Sequence, residues 1–554
     1  MLTIVCVLAL GHLVLGQSPQ VTTSQGTMRG QVLKSRDGRD YFSFTKIPYA
    51  KPPVGERRFV ISEKSDNWNW TGILDATQPT PICFQPVMFG LGPSTLGQED
   101  CLYLNVFTPN MTGKLPVIFA IHGGAFTSGS AGDLGTGRYF MDEDVVLVTI
   151  NYRLGILGFL SLGDNVIPGN MGLKDQALAL EWVHREISAF GGDPNMITVS
   201  GESAGGASSH LICEAPRTNG LIKGCVSQSG DGWTPFVFLK SEIARHKALN
   251  LAKGVGCNAT GNLLQCLQSK PIELIGNVTL LHDLTTVIAD IFPVLEPENA
   301  PGALLTSWPT KAKNHNYPWI VGVCQDEGLI YTLAYEYHLK SQQETEYFIN
   351  IFNETIITEL HLENRTSDFL RARQRFFTNG VDPLISIRNF MTEYLFLEPA
   401  LKGLSRHPGP TYFFKFNYTQ GPPLLPIGHL DKPAAPHASE LPYFYDLPYN
   451  TSKDWPKPED VKLSKLLVKM LANFAKDQAP SSQDTMQWPQ FQGQNFLDIQ
   501  DSGVSIGKYT QYQEILDFWK SILPNQPSKS STNHSPFSFI TFLSIFTTYR
   551  LLFF

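Results

Sequence analysis

Charge is sparse in this sequence. Of its 554 residues, 17% are Asp, Glu, Lys or Arg, and 43 basic against 50 acidic side chains leave a net charge of -7. No dense basic patch is present to hold a nucleic acid, and the acidic excess is too small to argue for a cationic partner. Cysteine is also scarce, at eight, and no Cys/His cluster has the spacing of a zinc site. No period of roughly 20–50 residues recurs, and no low-complexity block divides the chain. Apolar side chains, in contrast, are plentiful: 42% of residues, with 35 Phe and 19 Tyr. That composition excludes disorder and supplies a sizeable core. A soft prior of ~150 residues per domain allows three or four units, but large α/β enzymes often run as one. The Pro-rich stretches 422–426 and 433–436 read as loops rather than linkers, so one large domain over residues 17–524 is expected.

The two ends differ from the rest. Residues 1–16, MLTIVCVLALGHLVLG, form an apolar run of signal-peptide length with a small residue at Gly16, although no Lys or Arg precedes it. The competing reading is an N-terminal core strand or a membrane anchor. Secretion is the expectation, because nine N-x-S/T triplets are scattered along the chain, at Asn69, Asn110, Asn258, Asn277, Asn353, Asn364, Asn417, Asn450 and Asn533. Removing Cys6 with the signal leaves seven cysteines. Cys83 with Cys101, and Cys257 with Cys266, are close enough to staple short loops, whereas Cys213, Cys225 and Cys324 sit in apolar runs as buried thiols. Residues 525–554 combine small residues, a short polar spacer and an apolar tail carrying one charge, Arg550. That order is that of a lipid-anchor signal with Ser528, Ser530 or Ser531 as attachment site; a membrane span and a plain tail are the alternatives.

Short runs rich in β-branched residues read as buried strands at Leu115–Ile121, Val145–Asn151, Ile197–Ser200, Gly224–Ser227, Trp319–Cys324 and Thr411–Asn417. Helical patterns lie between several of them, notably Leu173–Phe190 and Val461–Lys476. Continuous apolar strands alternating with helices predict a large, mostly parallel sheet covered on both faces. Residues 17–110 look antiparallel and turn-rich, which predicts a small N-terminal antiparallel sheet.

The most informative segment is Ile197–Gly206, ITVSGESAGG. An apolar strand runs into Gly201-Glu202-Ser203-Ala204-Gly205, a G-x-S-x-G pattern. A nucleophile held on a sharp strand-to-helix turn needs glycine on both sides, because side chains there would strike the neighbouring strand or helix. The helix start behind it brings backbone N–H groups near the serine. Upstream, LPVIFAIHGGAF opens from a strand into His122-Gly123-Gly124-Ala125, with consecutive N–H groups unobstructed by bulky side chains. That is the chemistry of an oxyanion hole, completed by the N–H of Ala204.

A serine hydroxyl needs a base, and the base needs an orienting carboxylate, in the chain order Ser, acid, His. Past the strand WIVGVC come Gln325, Asp326, Glu327 and Gly328, and pattern alone leaves the choice between the two acids open. The later histidines are His338, His361, His407, His429, His437 and His534. His437, in the Pro-rich loop PAAPHASELPYFY beyond the strand Thr411–Asn417, stands ahead of His429.

These segments resemble the type-B carboxylesterase/cholinesterase family of α/β-hydrolases, from about residue 19 to 520. The resemblance is carried by FTKIPYAKPPVGERRF (44–59), EDCLYLNVFTP (99–109), HGGAF, the run from Gly169 to Gly206, QDEG (325–328) and HASELPYFY (437–445). It implies an α/β-hydrolase fold and a triad of Ser203 as nucleophile, Glu327 as acid and His437 as base. Gly124, Ala125 and Ala204 are then the oxyanion donors, and no metal or organic cofactor is needed. The resemblance further implies disulfides Cys83–Cys101 and Cys257–Cys266, ion pairs Arg58–Glu99 and Arg153–Asp175, and Ser229 as a buried hydroxyl against the acid. Trp233 and Phe236 are candidates for an acyl pocket, or plain core aromatics.

Departures narrow the expectation. No Trp lies between Cys83 and Cys101, unlike the choline-binding Trp of cholinesterases, and GESAG is not the GQSAG of many juvenile hormone esterases. The expected protein is a secreted serine carboxylic ester hydrolase of small to medium esters, with a lipid anchor at the cell surface through the C-terminal tail as one fate open to it. The alternative is a silent, neuroligin-like binding protein of the same fold, which typically lacks a triad residue.

Overall fold

A computed structural model describes residues 18–64, 69–86, 95–258, 261–276, 291–308, 316–332, 346, 366–377, 381–422, 434–448, 455–483 and 485–523. The two terminal expectations, His338, His361, His429 and His534, five of the nine sequons, and the side chain of Phe236 lie outside the described residues.

An eleven-stranded sheet organises the chain. In spatial order its strands are Gly503–Lys508, Asn495–Gln500, Thr411–Asn417, Trp319–Cys324, Gly224–Gln228, Gly192–Glu202, Leu115–Ile121, Val146–Ile150, Tyr103–Thr108, Asp40–Pro48 and Gln31–Lys34. The seven from Asn495–Gln500 to Val146–Ile150 are parallel, and antiparallel strands extend both edges. A separate three-stranded sheet pairs Gln20–Thr23 with Gly26–Arg29 antiparallel and the latter with Ile73–Asp75 in parallel. Of the antiparallel strands between residues 31 and 108, Gln31–Lys34, Asp40–Pro48 and Tyr103–Thr108 join the large sheet, whereas Gln85–Pro86 and Thr95–Leu96 pair in a separate two-stranded one.

The continuous apolar runs have a direct explanation in the packing. Along Leu115–Ile121, Val117, Phe119 and Ile121 enter one core cluster while Ile118 and Ala120 enter the other. The central strands face two apolar layers, so period-2 alternation disappears there. The helix Met171–Glu186, continued by a 3₁₀ turn to Phe190, buries Leu173, Ala177, Leu180, Trp182 and Val183 against the first cluster. The helix Pro458–Asp477 buries Leu463, Leu467, Leu471 and Phe474 against the second. Its i, i+4 stripe is what the helical pattern at Val461–Lys476 reflects.

Two buried arginines in this frame are paired with carboxylates. Arg58 grips Glu99 through two hydrogen bonds, Nε–Oε1 at 2.5 Å and Nη2–Oε2 at 2.6 Å. Arg153 does the same to Asp175, at 2.7 and 2.8 Å, with both side chains buried. Disulfides Cys83–Cys101 and Cys257–Cys266 are formed, and Cys213, Cys225 and Cys324 are free and buried. Among the described residues no helix is long and apolar enough to cross a membrane.

Candidate active site

The strand Gly192–Glu202 ends one residue before Ser203, and the helix Ala204–Glu214 begins one residue after it. Ser203 takes φ 57° and ψ -124°, a conformation that L residues rarely adopt. The turn is tight on both sides. A Cβ on Gly201 would lie 2.3 Å from the carbonyl oxygen of Gly205, and one on Gly205 would lie 2.2 Å from that of Ile121. Both approaches are to backbone, which cannot rotate away, so glycine is required at each position. Ser203 N–H donates to Gln228 O at 2.8 Å, locking the turn to the next strand. Such strain, held by its surroundings, marks a functional position.

The HGGA loop lies against this serine. A Cβ on Gly123 would be 2.7 Å from Glu202 O and 3.2 Å from Ser203 Cβ. Gly124, Ala125 and Phe126 all have positive φ, at 104°, 54° and 61°. Gly124 is obligatory, since a Cβ there would sit 2.2 Å from Ser128 O. Among the described residues the N–H groups of Gly124, Ala125 and Ala204 have no acceptor. Three unpaired donors beside a hydroxyl are the raw material of an oxyanion hole.

Glu327 lies in the turn after Trp319–Cys324 and is fully buried. Its Oε1 accepts the Cys324 N–H at 2.7 Å, and its Oε2 sits 2.5 Å from His437 Nδ1. Gly328 follows because a Cβ there would lie 2.1 Å from Arg388 O; its N–H donates to Thr392 Oγ1 at 2.8 Å. Asp326, the competing acid, has a different task. Its N–H donates to Ala435 O at 2.9 Å and its Oδ2 accepts Ala435 N–H at 3.0 Å. This ladder zips the acid turn to the histidine loop and leaves Glu327, not Asp326, against the imidazole. His407, by contrast, is bonded to Tyr317 O at 2.6 Å.

Around His437 the structure adds groups that the sequence reasoning passed over. Glu202 Oε1 lies 3.1 Å from His437 Nε2, Glu440 is buried three residues after the histidine, and the Phe396 ring packs 5.1 Å from the imidazole. Phe396 belongs to a π-helical segment, Glu393–Leu397, between two α-helices, a local feature frequent at functional sites. Burial alone would lower the His437 pKa, but Glu202, Glu327 and Glu440 hold it up at about 9. Burial in turn raises Glu202 to about 8 and Glu440 to about 7. The protonation of His437 and Glu202 is linked, since protonating Glu202 removes an attraction that keeps the imidazolium charged. A charged residue inside the G-x-S-x-G pattern, directly before Ser203, is the signal that would have disclosed Glu202.

Two expectations are refined. Ser229 is buried and donates its N–H to Gly322 O at 2.8 Å, but its hydroxyl has no hydrogen-bond partner among the described residues. The Trp233 ring lies under Arg406, 4.9 Å away, and beside Gly403. It is thus packed half-buried on the helix Glu398–Arg406 and belongs to none of the core clusters, so both readings of it stand. Among the described residues no His/Cys/Asp/Glu group could hold a metal.

Ser203, Glu327 and the HGGA loop all stand just past the carboxyl ends of parallel strands, where open α/β sheets form their binding crevice. The carboxylesterase family model matches residues 17–519. Venom carboxylesterase-6 of Apis mellifera is 34% identical over 502 residues, covering 85% of this chain and 88% of that protein. Juvenile hormone esterase of Tribolium castaneum is 31% identical over 516 residues, 85% of each chain. The crystal structure of juvenile hormone esterase from Manduca sexta, with OTFP covalently attached, superposes with a TM-score of 0.78 at 26% identity, covering 91% of this chain and 99% of that one. The strand-to-helix elbow, the α/β sheet and these likenesses lead to one conclusion: the chain belongs to the carboxylesterase family, as a carboxylic ester hydrolase with the α/β-hydrolase fold.

Proposed function

We propose that hydrolysis proceeds through an acyl-enzyme on Ser203, with His437 as base and Glu327 as the acid that orients it. The observation that carries this reading is the buried pair of His437 Nδ1 and Glu327 Oε2 at 2.5 Å, on a histidine whose Nε2 faces Glu202, the residue before the strained serine. In the neutral ring, with Nδ1–H donated to Glu327, Nε2 is the lone-pair nitrogen, the tautomer a general base requires. Ser203 Oγ attacks the ester carbonyl as His437 takes its proton, and Glu327 stabilises the imidazolium. The N–H groups of Gly124, Ala125 and Ala204 bind the developing oxyanion, at ~3–4 kcal/mol for a good donor. Collapse passes the proton to the alcohol leaving group and frees it. Water, activated by the same base, then hydrolyses the acyl-enzyme.

Small to medium carboxylic esters are the proposed substrates, and secretion the proposed fate. Secretion is supported by the apolar start, by two disulfides, and by exposed sequon asparagines at Asn69, Asn110 and Asn258. Export from insect or mammalian cells, with a mass loss on glycosidase treatment, tests it; an unglycosylated chain kept inside the cell contradicts it. The mechanism is tested with p-nitrophenyl esters of increasing chain length. Turnover abolished by Ser203→Ala is expected, and turnover that survives it overturns the assignment.

A further inference from the structure

Cys324 occupies a position that this catalytic cycle leaves unused. It is the last residue of the strand Trp319–Cys324, fully buried, and it contacts both carboxylates behind the base. Its backbone N–H donates to Glu327 Oε1 at 2.7 Å, and its thiol donates to Glu440 Oε2 at 3.0 Å. Glu440 is 1% exposed, and its other oxygen, Oε1, has no hydrogen-bond partner among the described residues. A carboxylate so enclosed keeps its charge only through the few donors that reach it.

We infer that Cys324 is a positioning residue for the base: its S–H holds Glu440 charged and turned toward the strand, so that Glu327 alone partners His437 Nδ1 while Glu440 adds its field to the imidazolium. This inference rests on the assignment of His437 as base. The charged and titratable groups facing the imidazole are Glu202, Glu327 and Glu440, and those facing Glu440 are Glu327, His437, Glu202 and the thiol itself. Burial, reinforced by Glu440, Glu327 and Glu202, pushes the thiol well above its ordinary range, so it stays protonated and serves as a donor. The same burial makes it a poor nucleophile, which separates this role from thiol chemistry.

The test is the pH profile of ester hydrolysis. In Cys324→Ala, Glu440 loses its one side-chain donor among the described residues and takes up its proton at higher pH than in the wild type, where burial already raises it to about 7. His437 then loses one attraction, and the acidic limb of kcat moves down by roughly one pH unit. The plateau kcat falls by up to roughly tenfold, the same unit expressed as imidazolium stabilisation, with KM little changed. Cys324→Ser keeps a donor and restores the wild-type limb, a rescue that a packing role alone would not produce. Glu440→Gln alone lowers the limb as Cys324→Ala does, and the two changes together add nothing further. An unshifted limb in Cys324→Ala, a Ser variant that behaves like Ala, or an unshifted Glu440→Gln overturns the inference. Should Cys324→Ala fail to fold, the Ser and Gln variants decide alone. Ser203→Ala is run in the same assay: turnover that survives it overturns the underlying mechanism, whereas Ser203-dependent turnover with an unmoved Cys324→Ala limb overturns only the role of the thiol.

Discussion

Glu327→Gln keeps the shape of the acid and removes its charge, and the surrounding bonds dictate how the site responds. The amide has one acceptor oxygen and one N–H₂ donor. The oxygen stays with the Cys324 N–H, now 2.7 Å from Glu327 Oε1, because leaving that buried donor unpaired is costly. The amide nitrogen then faces His437 Nδ1, where Glu327 Oε2 stands at 2.5 Å. Two donors cannot share that bond, so Nδ1 must become the acceptor and the ring proton moves to Nε2. In that tautomer Nε2, the nitrogen proposed as the base, cannot take a proton. The same loss of carboxylate and tautomer in a serine protease triad costs about 10⁴ in kcat. We expect a comparable drop here, ~5 kcal/mol of transition-state stabilisation at ~1.4 kcal/mol per decade. Asp326→Asn is the matched control. Asp326 Oδ2 only accepts Ala435 N–H, a bond an amide oxygen keeps, so kcat should stay within roughly tenfold of wild type. Steady-state hydrolysis of p-nitrophenyl acetate by the three proteins decides the matter. A Glu327→Gln enzyme within tenfold of wild type, or an Asp326→Asn enzyme crippled to the same degree, refutes the reasoning.

Three other changes have outcomes set by the structure. Gly205→Ala drives a Cβ to 2.2 Å from Ile121 O, so the elbow must move; thermal denaturation should show a loss of ~1–3 kcal/mol or more, and kcat should fall by ~100-fold. Lys174→Met strands Glu296, with which Lys174 forms an ion pair sealed from solvent on both sides. The Glu296 Oε2 bonds to Asn170, Leu304 and Leu305 hold it in place, so the chain should lose about 3–5 kcal/mol in urea unfolding, and a midpoint unchanged from wild type would contradict this. Glu202→Gln removes a charge that holds His437 up at about 9; because only neutral His437 is active, activity rises with pH through that pKa, and the limb should shift to lower pH. An unmoved limb would show that Glu202 does not act on the base.

The fold was readable where burial on both faces erased alternation. Leu115–Ile121, Trp319–Cys324 and Thr411–Asn417 have the predicted boundaries. The edge pair Asn495–Gln500 and Gly503–Lys508 escaped because its outer member is exposed or half-exposed throughout, leaving no apolar run to see. At the site, Gly201 and Gly205 were legible because backbone crowding admits no other residue, whereas Glu202, Glu440 and Cys324 were not. Their importance comes from three separate segments meeting at one imidazole, and single-sequence spacing does not encode that meeting. The π-helical turn that brings Phe396 to His437 likewise has no local sequence signature. The resemblance to the family supplied Glu327 over Asp326, and the bonds of Asp326 to Ala435 are consistent with that choice.

The central claim is that Ser203 carries the acyl group. Its most direct test is stoichiometric reaction with a fluorophosphonate, followed by digestion and mass spectrometry of the labelled peptide. The account predicts one label per chain, on Ser203, formed far more slowly in His437→Ala and Glu327→Gln. A wild-type enzyme that hydrolyses esters without labelling, or carries the label on another residue, would contradict it.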